Sequence, residues 1–511
     1  MEENKKENRT TDEGFFDEPP KAQNVENTGD GFFDDAPQDG AQNSAPPQGG
    51  ANPNYGGYQN GNYGGNYGQR PVQRGYVPTP SRKSKGKTVG KIFAAIGIGL
   101  GVFLCGMLTT WFCLDPEIRT LIKVKKTIQK EYYQDISDGE FYDVVFDAIN
   151  SDLLDPYSQY MTYDEYAAME GSLAGNRSGI GLYFSETEEN GEKQLIVYRA
   201  VENSPAERAG LQDGDRVLGY GRNETEIVKN ADFDNGLKPF LDSMETNVPF
   251  CLQVQRDAET IVLSLAKEYY VESYVTYRTN DTSYGFTGAD ALTYAEKGRA
   301  LASLPSDTAY IRLSQFTGNA VAAFDRVMAQ FKADGKKNLV LDLRDNGGGY
   351  LDYLQYIAKY FCKNATDKKP LAVVADYGEK KEYYRAADNV YSEYFAEDSK
   401  ITVLASSGTA SASECLLGVM LDYGAIGYGD ICLVERGGVA KTYGKGIMQT
   451  TFYLDAQKKD FLKLTTAELR WPVSGSSIHA RGVLPEDGTK TAAENYIDEK
   501  ELEGALSVLL R

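Results

Sequence analysis

The spacing of hydrophobic and polar positions changes along the chain, and each change marks a new segment. Residues 92–114 carry no charged side chain. At about 1.5 Å per residue, such a run can cross the roughly 30 Å hydrocarbon core of a membrane. It predicts one transmembrane helix, Ile92–Leu114. Two further helices are predicted behind it, at Ile118–Tyr132 and Glu140–Leu154, within a helical segment that covers residues 115–170.

The rest of the chain divides into a β-rich part and an alternating part. Short apolar runs separated by Gly and Pro predict a small β-rich domain over residues 171–268. From residue 269 to residue 511, strand-like and helix-like patterns alternate, which is typical of an α/β domain with a partly parallel sheet. Its predicted strands are Ala309–Leu313, Leu339–Leu343 and Ile401–Ala405. Its predicted helices bury Phe324, Val327, Met328 and Phe331, then Leu354, Ile357, Ala358 and Phe361, and finally span Glu414–Leu421.

The first 91 residues have a different composition. They are rich in Gly, Asn, Gln and Pro, which bury too little apolar surface to offset chain entropy, so a disordered tail is predicted. The tetrapeptide GFFD occurs twice, at Gly14–Asp17 and Gly31–Asp34. It is either a pair of solvated aromatic clusters or a linear motif for a cytoplasmic partner.

Charge, cysteine and histidine content restrict the function. The net charge of -20 argues against nucleic acid as a partner, because such binding needs clustered basic surface. The six cysteines have no metal-ligand spacing, so no metal or other cofactor is expected. Cys251, Cys362, Cys415 and Cys432 should be mostly free buried thiols, although one disulfide is compatible with the sequence. The single histidine, His479, makes a His-based triad or a multi-His metal site improbable.

Three short stretches carry side chains suited to catalysis. LDLRDNGGGYL (Leu341–Leu351) places three glycines between a strand and a helix, where their amides can face an oxyanion or simply form a turn. VLASSGTASASECLLG (Val403–Gly418) places Ser406, Ser407, Ser411 and Ser413 before a helix, where serine acts as a nucleophile or as an N-cap. TYGKGIMQT (Thr442–Thr450) carries Lys445, which is either a surface lysine or a base made neutral by burial.

These stretches belong to a longer series of motifs. In chain order the series also contains LDPYSQYMT (Leu154–Thr162), SGIGLYF (Ser178–Phe184), SPAERAGLQDGDRVL (Ser204–Leu218), AYIRLSQF (Ala309–Phe316) and IHARGVLPED (Ile478–Asp487). In this order, over about residues 118–488, the chain resembles the C-terminal processing peptidases, also called tail-specific proteases. The resemblance implies a crotonase-like α/β serine protease core with an inserted PDZ domain.

The resemblance also implies a set of site residues. Ser411 would be the nucleophile, Lys445 the general base and Gln449 the residue that orients Lys445. The oxyanion hole would consist of the amides of Gly348 and Ala412, and Glu414, Asp422 and Thr442 would have supporting roles. The separation of 34 residues between Ser411 and Lys445 (445 minus 411) is longer than is usual in the family, and we place the extra residues in Gly427–Thr442. Lys441 is the only nearby competitor, but no Gln follows it four residues later.

The GIGL segment resembles the carboxylate-binding loop of PDZ domains. Gly179, Ile180, Gly181 and Leu182 would then bind the C-terminus of a peptide, whereas the alternative is a hairpin turn without a ligand. The implied function is a serine endopeptidase that acts on protein or peptide chains. Two other functions stay open: a catalytically silent, PDZ-bearing membrane adaptor, and a crotonase-like acyl-CoA enzyme.

Basic residues near the apolar segment bear on its orientation. Six lie within about twenty residues before it and five within about twenty residues after it. They are Arg74, Arg82, Lys83, Lys85, Lys87 and Lys91, followed by Arg119, Lys123, Lys125, Lys126 and Lys130. We therefore expect a single-pass protein of the cell membrane with a cytoplasmic N-terminus and an extracytoplasmic catalytic domain. Homo-oligomers are compatible with the sequence.

Overall fold

The computed structural model of the chain describes residues 85–189, 192–230, 232–287, 293–296, 300–435, 438–455, 460–491 and 498–510. The predictions for residues 1–84, including the GFFD repeats, lie outside these residues. The described part of the chain forms two compact units, one that ends at Asp143 and one that begins at Val144.

The first unit consists of helices. It contains α1 (Lys85–Cys113), α2 (Pro116–Glu131) and the start of α3 (Asp138–Ala148). Among the described residues, α1 alone is long and apolar enough to cross a membrane, over Gly90–Cys113. Helix α1 begins at Lys85, within the segment up to residue 91 that the sequence assigned to the tail. A helix that has formed extends at little cost through residues that do not break it. The predicted helix at Ile118–Tyr132 is confirmed, and the Asp115 side chain caps it by accepting a hydrogen bond from the Glu117 amide at 2.9 Å.

The second unit begins with an irregular helical stretch. Helix α3 ends at Ala148, and a wide π-type turn over Ile149–Leu153 completes the predicted helix Glu140–Leu154. Strand β1 (Gln159–Met161) and helix α4 (Tyr163–Leu173) follow. Thr162 and Glu165 fix the start of α4, since each side chain bonds to the backbone amide of the other.

The β-rich domain predicted over residues 171–268 is present. A short ribbon of β2 and β9 flanks an antiparallel six-stranded sheet in the order β3-β4-β5-β7-β8, with β6 paired to β5. Leu195, Val197, Phe250, Leu252 and Val254 are buried in its core. The strands are β2 (Asn176–Gly179), β3 (Leu182–Glu189), β4 (Glu192–Ala200), β5 (Arg216–Gly221), β6 (Val228–Lys229), β7 (Phe250–Arg256), β8 (Glu259–Leu265) and β9 (Glu268–Val271). The helices are α5 (Pro205–Ala209) and α6 (Lys238–Ser243).

The alternating part of the chain forms a mixed sheet of eight strands in the order β12-β11-β10-β13-β14-β17-β18-β21. In this order, neighbouring strands from β12 to β13 pair antiparallel, and neighbouring strands from β13 to β21 pair parallel. The sheet is thus partly parallel, as the sequence predicted. The strands are β10 (Val275–Arg278), β11 (Ser283–Thr287), β12 (Thr293–Glu296), β13 (Thr308–Leu313), β14 (Asn338–Asp342), β17 (Ile401–Ala405), β18 (Ile431–Val434) and β21 (Thr489–Thr491).

Helices cover both faces of this sheet. On one face lie α7 (Ala320–Ala333), α8 (Leu351–Ala358), α9 (Tyr391–Tyr394) and α10 (Ala412–Asp422). On the other lies α11 (Asp498–Leu509), whose Leu502, Ala505 and Leu506 pack against Val340 and Leu404. The predicted apolar face of α7 is fully buried, and the predicted strands and helices lie within a few residues of their expected positions. Cys251, Cys362, Cys415 and Cys432 are all buried.

A second, antiparallel sheet was not predicted from the sequence. It has the order β1-β20-β15-β16, and β19 also pairs with β20. Strands β1 and β15 pair with different parts of β20, and β19 pairs along most of its length. Its strands besides β1 are β15 (Leu371–Asp376), β16 (Lys381–Arg385), β19 (Ile447–Asp455) and β20 (Asp460–Arg470). Because β19 begins two residues after Lys445, this sheet positions the loop that carries the candidate base.

Candidate active site

Ser411 lies at the turn between strand β17 and helix α10, as the motif predicts. Its backbone has φ 56° and ψ -116°, a conformation that is rare for a residue with a side chain. The Ala410 amide and the Ser413 hydroxyl, on either side of Ser411, both donate to the carbonyl oxygen of Asn346 at 2.9 Å. The nucleophile turn is therefore tied directly to the glycine turn.

The glycine turn approaches Ser411 closely at Gly348. A Cβ atom at this position would lie 2.8 Å from Ser411 Cβ and 2.9 Å from the Ala412 nitrogen, and φ is 101°. Only glycine fits this contact without displacement. The Gly348 amide donates to Asn346 Oδ1 at 3.0 Å, so it is engaged within the turn in this conformation. The Ala412 amide belongs to the first residue of α10, where a helix has no internal acceptor.

Asn346 is a site residue that the sequence analysis did not identify. It is fully buried, and its Nδ2 donates to the carbonyl oxygen of Leu313 at 2.8 Å. Together with the bonds to the nucleophile turn, this contact fixes Asn346 between β13 and α10. The sequence offered one signal for Asn346: it belongs to the polar DNGGG stretch that directly follows a buried strand.

Lys445 lies in a tight loop between Gly444 and Gly446, immediately before β19. Burial lowers the pKa of Lys445, the positive charge of Lys463 lowers it further, and the carboxylate of Asp155 opposes both effects. Among the described residues, no hydrogen bond joins Lys445 Nζ to Ser411 Oγ. The amine lies instead over the ring of Tyr157, 4.8 Å from its centroid.

Glu414 connects the backbones of Ser411 and Lys445, the candidate nucleophile and the candidate base. This side chain is fully buried in α10, and its Oε2 accepts hydrogen bonds from the backbone amides of Ser411 at 3.0 Å and Lys445 at 2.9 Å. Its Oε1 accepts from the Gly444 amide at 2.8 Å and the Thr442 hydroxyl at 2.6 Å. Burial raises the pKa of Glu414, and these four bonds, which favour a carboxylate, offset part of that rise. One side chain thus holds both reactive loops.

The segment Ile478–Asp487 supports the base loop from the other side. The Ala480 amide donates to the Gly444 carbonyl oxygen at 2.8 Å, and the Val483 amide donates to the Thr442 hydroxyl at 2.7 Å. A Cβ atom at Gly446 would lie 2.8 Å from the His479 nitrogen, so this contact also requires glycine. The exposed His479 thus contacts the loop through its backbone.

Gln449 belongs to a series of hydrogen bonds that leads toward Lys445. Its Nε2 donates to the Thr465 hydroxyl at 3.3 Å, and this hydroxyl donates to Asp155 Oδ1 at 3.2 Å. Asp155 in turn accepts from the Tyr157 amide at 2.8 Å. Gln449 therefore belongs to a chain of bonds that reaches Lys445 through Tyr157, and direct orientation of the base by Gln449 stays a prediction.

The structure bears on two further stretches named in the sequence analysis. Asp422 lies at the far end of α10, about 16 Å from Ser411 at 1.5 Å per residue, and accepts bonds from the Val473 and Ser474 amides. It is not part of the site. The stretch Gly427–Thr442, in which the extra residues were placed, contains the buried core strand β18 at residues 431–434.

The GIGL segment in the β-rich domain directs its carbonyl groups inward. The Ile180 carbonyl oxygen accepts from the Ala206 amide and the Gly181 carbonyl oxygen from the Val201 amide, both at 2.9 Å. Strand β3, which begins at Leu182, is an edge strand that pairs only with β4 among the described residues. An extended peptide therefore has an open strand edge beside Gly179–Leu182.

Known proteins resemble the chain over most of this unit. Residues 307–487 match the model of peptidase family S41. A probable CtpA-like serine protease of Staphylococcus haemolyticus is 28% identical over 382 residues, which are 74% of this chain and 66% of that protein. One of Staphylococcus epidermidis is 27% identical over 81% of this chain and 76% of its own length. The chain thus spans slightly less than two thirds of the first relative. The photosystem II D1 C-terminal processing protease aligns with a TM-score of 0.41 and 23% identity, over 76% of this chain and 90% of that chain.

Proposed function

We propose that this chain, a member of peptidase family S41 through residues 307–487, is a serine endopeptidase that cleaves protein or peptide chains with Ser411 as nucleophile and Lys445 as general base. The observation that carries the proposal is the carboxylate of Glu414, which accepts hydrogen bonds from the backbone amides of both residues. A purely structural serine cap would not need a buried lysine loop tied to the same carboxylate.

The proposed reaction uses these residues in turn. As Ser411 Oγ attacks the carbonyl carbon of the scissile peptide bond, its proton passes to the neutral amine of Lys445. The negative charge that forms on the carbonyl oxygen is stabilised by the amides of Ala412 and Gly348, once the Gly348 amide is shared with or released from Asn346. The ammonium of Lys445 then returns the proton to the leaving amine. A water molecule repeats the sequence on the acyl-enzyme and releases the new C-terminal carboxylate.

Substitutions of the pair test this proposal in the full-length chain. Ser411→Ala, Lys445→Ala and Lys445→Arg should each abolish cleavage of labelled casein, with losses of at least about 10³-fold. Lys445→Arg is the decisive variant, because arginine keeps the positive charge but stays protonated and cannot accept the proton. His479→Ala is the control and should keep most activity. Substantial cleavage by Lys445→Arg, or a folded but inactive His479→Ala variant, would show that the base is wrongly assigned.

The pH dependence should reflect the same base. Because burial and Lys463 lower the pKa of Lys445, the neutral amine becomes available at a lower pH than for an exposed lysine. The rate should therefore rise with pH through this lowered pKa.

For the β-rich domain we propose a PDZ-type function. A peptide would extend the sheet along β3, with its terminal carboxylate at the amides of Gly179–Leu182. Support comes from the open edge of β3 and from the inward carbonyl groups of Ile180 and Gly181. Peptides with a free, apolar C-terminus should bind to the Ser411→Ala protein, and amidation of that terminus should weaken binding markedly. Equal binding of the acid and amide forms would reject this assignment.

We further propose that α1 anchors the protein in the cell membrane as a single span, with the N-terminus in the cytoplasm and the catalytic unit outside. The length and apolar character of Gly90–Cys113 and the basic residues before it support this arrangement. The substrates would then be extracytoplasmic protein or peptide chains.

A further inference from the structure

The turn Asp155–Ser158 contacts the base loop, although it lies far from that loop in the sequence. The ring of Tyr157 lies beneath Lys445 Nζ at 4.8 Å. The Tyr157 hydroxyl donates a hydrogen bond to the hydroxyl of Tyr443 at 3.2 Å, and these two tyrosines are 286 positions apart. The turn therefore contacts both the amine of Lys445 and the loop that carries it.

The turn is held rigidly by its own hydrogen bonds. Asp155 accepts bonds from the Tyr157 amide at 2.8 Å, the Ser158 hydroxyl at 3.0 Å and the Thr465 hydroxyl at 3.2 Å. The Thr465 amide donates to the Ser158 hydroxyl at 2.8 Å, which fastens the turn to strand β20. Because β20 pairs with β19, the ring of Tyr157 and the loop of Lys445 rest on the same hairpin.

We propose that Tyr157 is a positioning residue for the general base, whose aromatic ring seats Lys445 Nζ and keeps water away from it. The proposal deepens the proposed function and rests on it, because it assigns Tyr157 a role in the proton transfer between Ser411 and Lys445.

An aromatic ring suits both states of the base. Before attack, the ring excludes water from the amine, and a desolvated lysine favours its neutral form. After proton transfer, the negative face of the ring attracts the new ammonium. An aliphatic side chain would exclude water but would not attract the ammonium. A polar side chain would attract the ammonium only in part and would not exclude water.

Other charged groups face the same amine. Asp155 favours the ammonium and Lys463, on β20, disfavours it, whereas Glu414 contacts the Lys445 backbone. Burial is the largest of the effects that lower the pKa of Lys445, so removal of the ring should act mainly by admitting water. The expected sign follows: the pKa of Lys445 rises when the ring is lost.

The first test compares Tyr157→Ala with Tyr157→Phe in the full-length chain in detergent, with labelled casein as substrate. Tyr157→Ala should lower kcat/KM at pH 7 by about tenfold or more and move the midpoint of the pH–rate profile upward by about one unit, so that activity recovers at high pH. Tyr157→Phe keeps the ring and should stay within about threefold of the parent, with the midpoint unchanged. Tyr383→Leu replaces a tyrosine that is 63% exposed on β16 and is the control.

A purely structural role gives a different result. If Tyr157→Ala lowers the rate equally at every pH and leaves the midpoint in place, or if Tyr157→Phe is as impaired as Tyr157→Ala, the proposal is wrong. If Ser411→Ala or Lys445→Arg retains cleavage, the proposed function itself fails, whatever the Tyr157 variants do.

A second measurement does not depend on turnover or on the folding of Tyr157→Ala. The pKa of Lys445 can be followed by NMR in the full-length Ser411→Ala protein labelled with ¹³C-lysine, with Lys445→Arg used to assign the signal. Pentafluorophenylalanine at position 157 keeps the shape of the ring but removes the attraction of its face for a cation. It should lower the pKa of Lys445 relative to phenylalanine at the same position. An equal pKa with both rings would overturn the proposal.

Discussion

At the scale of single residues, the site depends on side chains that position the reactive groups rather than react. Glu414 holds the amides of Ser411 and Lys445, Asn346 joins the glycine turn to the nucleophile turn, and Tyr157 seats the amine. Each of these makes several contacts, so a change at one of them alters two loops at once.

The close contact at Gly348 gives a prediction whose matched control is the preceding residue, Gly347. Gly348→Ala should reduce kcat/KM by at least about 10²-fold, because the new Cβ meets Ser411 and Ala412 and the backbone has a positive φ. Gly347→Ala should remain near parental activity, since a Cβ there has no neighbour within 4 Å. Casein cleavage and far-UV circular dichroism of both variants provide the measurement. Equal activities would mean that the contact does not shape the site.

Candidates for the reactive residues could be named from the sequence, whereas the residues proposed to position them could not. Ser411 and Lys445 lie in short motifs whose chemistry can be recognised locally. Tyr157 and Asn346 acquire their roles through contacts with segments that are distant in the sequence. Asp422 was misplaced for a related reason: a polar residue eleven positions after Ser411 in one helix is three turns away from it.

At the scale of secondary-structure elements, the pattern of buried positions was the reliable signal. Strands β14 and β17 and helix α7 are fully or almost fully buried on their predicted faces, so their apolar positions identify them. The hairpin of β19 and β20 escaped prediction because most of its residues are half-buried on both faces, which removes the alternation that marks a strand. It nevertheless carries the base loop and holds the turn at Asp155.

Buried ion pairs join helix α11 to the end of strand β14. Arg344, which begins the glycine turn and is 2% exposed, pairs with Asp342 and with Glu501 of α11, and both carboxylates are fully buried. Glu501 is one of two buried carboxylates that pair with Arg344, and a hydrogen bond to a charged group contributes about 1.5 to 3 kcal/mol. The C-terminal helix thus supports the strand from which the glycine turn emerges.

Removal of this carboxylate should destabilise the second unit. Glu501→Ala should lower its free energy of unfolding by about 1.5 to 3 kcal/mol, because one charged hydrogen bond is lost while Arg344 still pairs with Asp342. Glu503→Ala, an exposed position in the same helix, should change it by less than about 0.5 kcal/mol. Urea unfolding of the full-length chain can be followed by the fluorescence of Trp471, which is buried against α10. Comparable midpoints for the two variants would contradict a stabilising role for the pair.

At the scale of the whole molecule, the proposed function depends on the orientation of the membrane-spanning helix α1. The orientation proposed above rests on the apolar helix α1 and on the basic residues around it. Six basic residues lie within about twenty residues before the span and five within about twenty residues after it. Because this difference is small, the proposed orientation depends mainly on the basic cluster Arg82–Lys91, which lies directly before the span.

An accessibility experiment on intact cells tests this orientation. With epitope tags at both ends of the chain, protease added outside should remove the C-terminal tag and digest the residues beyond Leu114. The N-terminal tag should survive, because the membrane shields the residues before the span. Permeabilised cells are the control, since both tags should then be lost. A C-terminal tag that survives in intact cells but disappears after permeabilisation would place the catalytic unit in the cytoplasm and reverse the proposed topology.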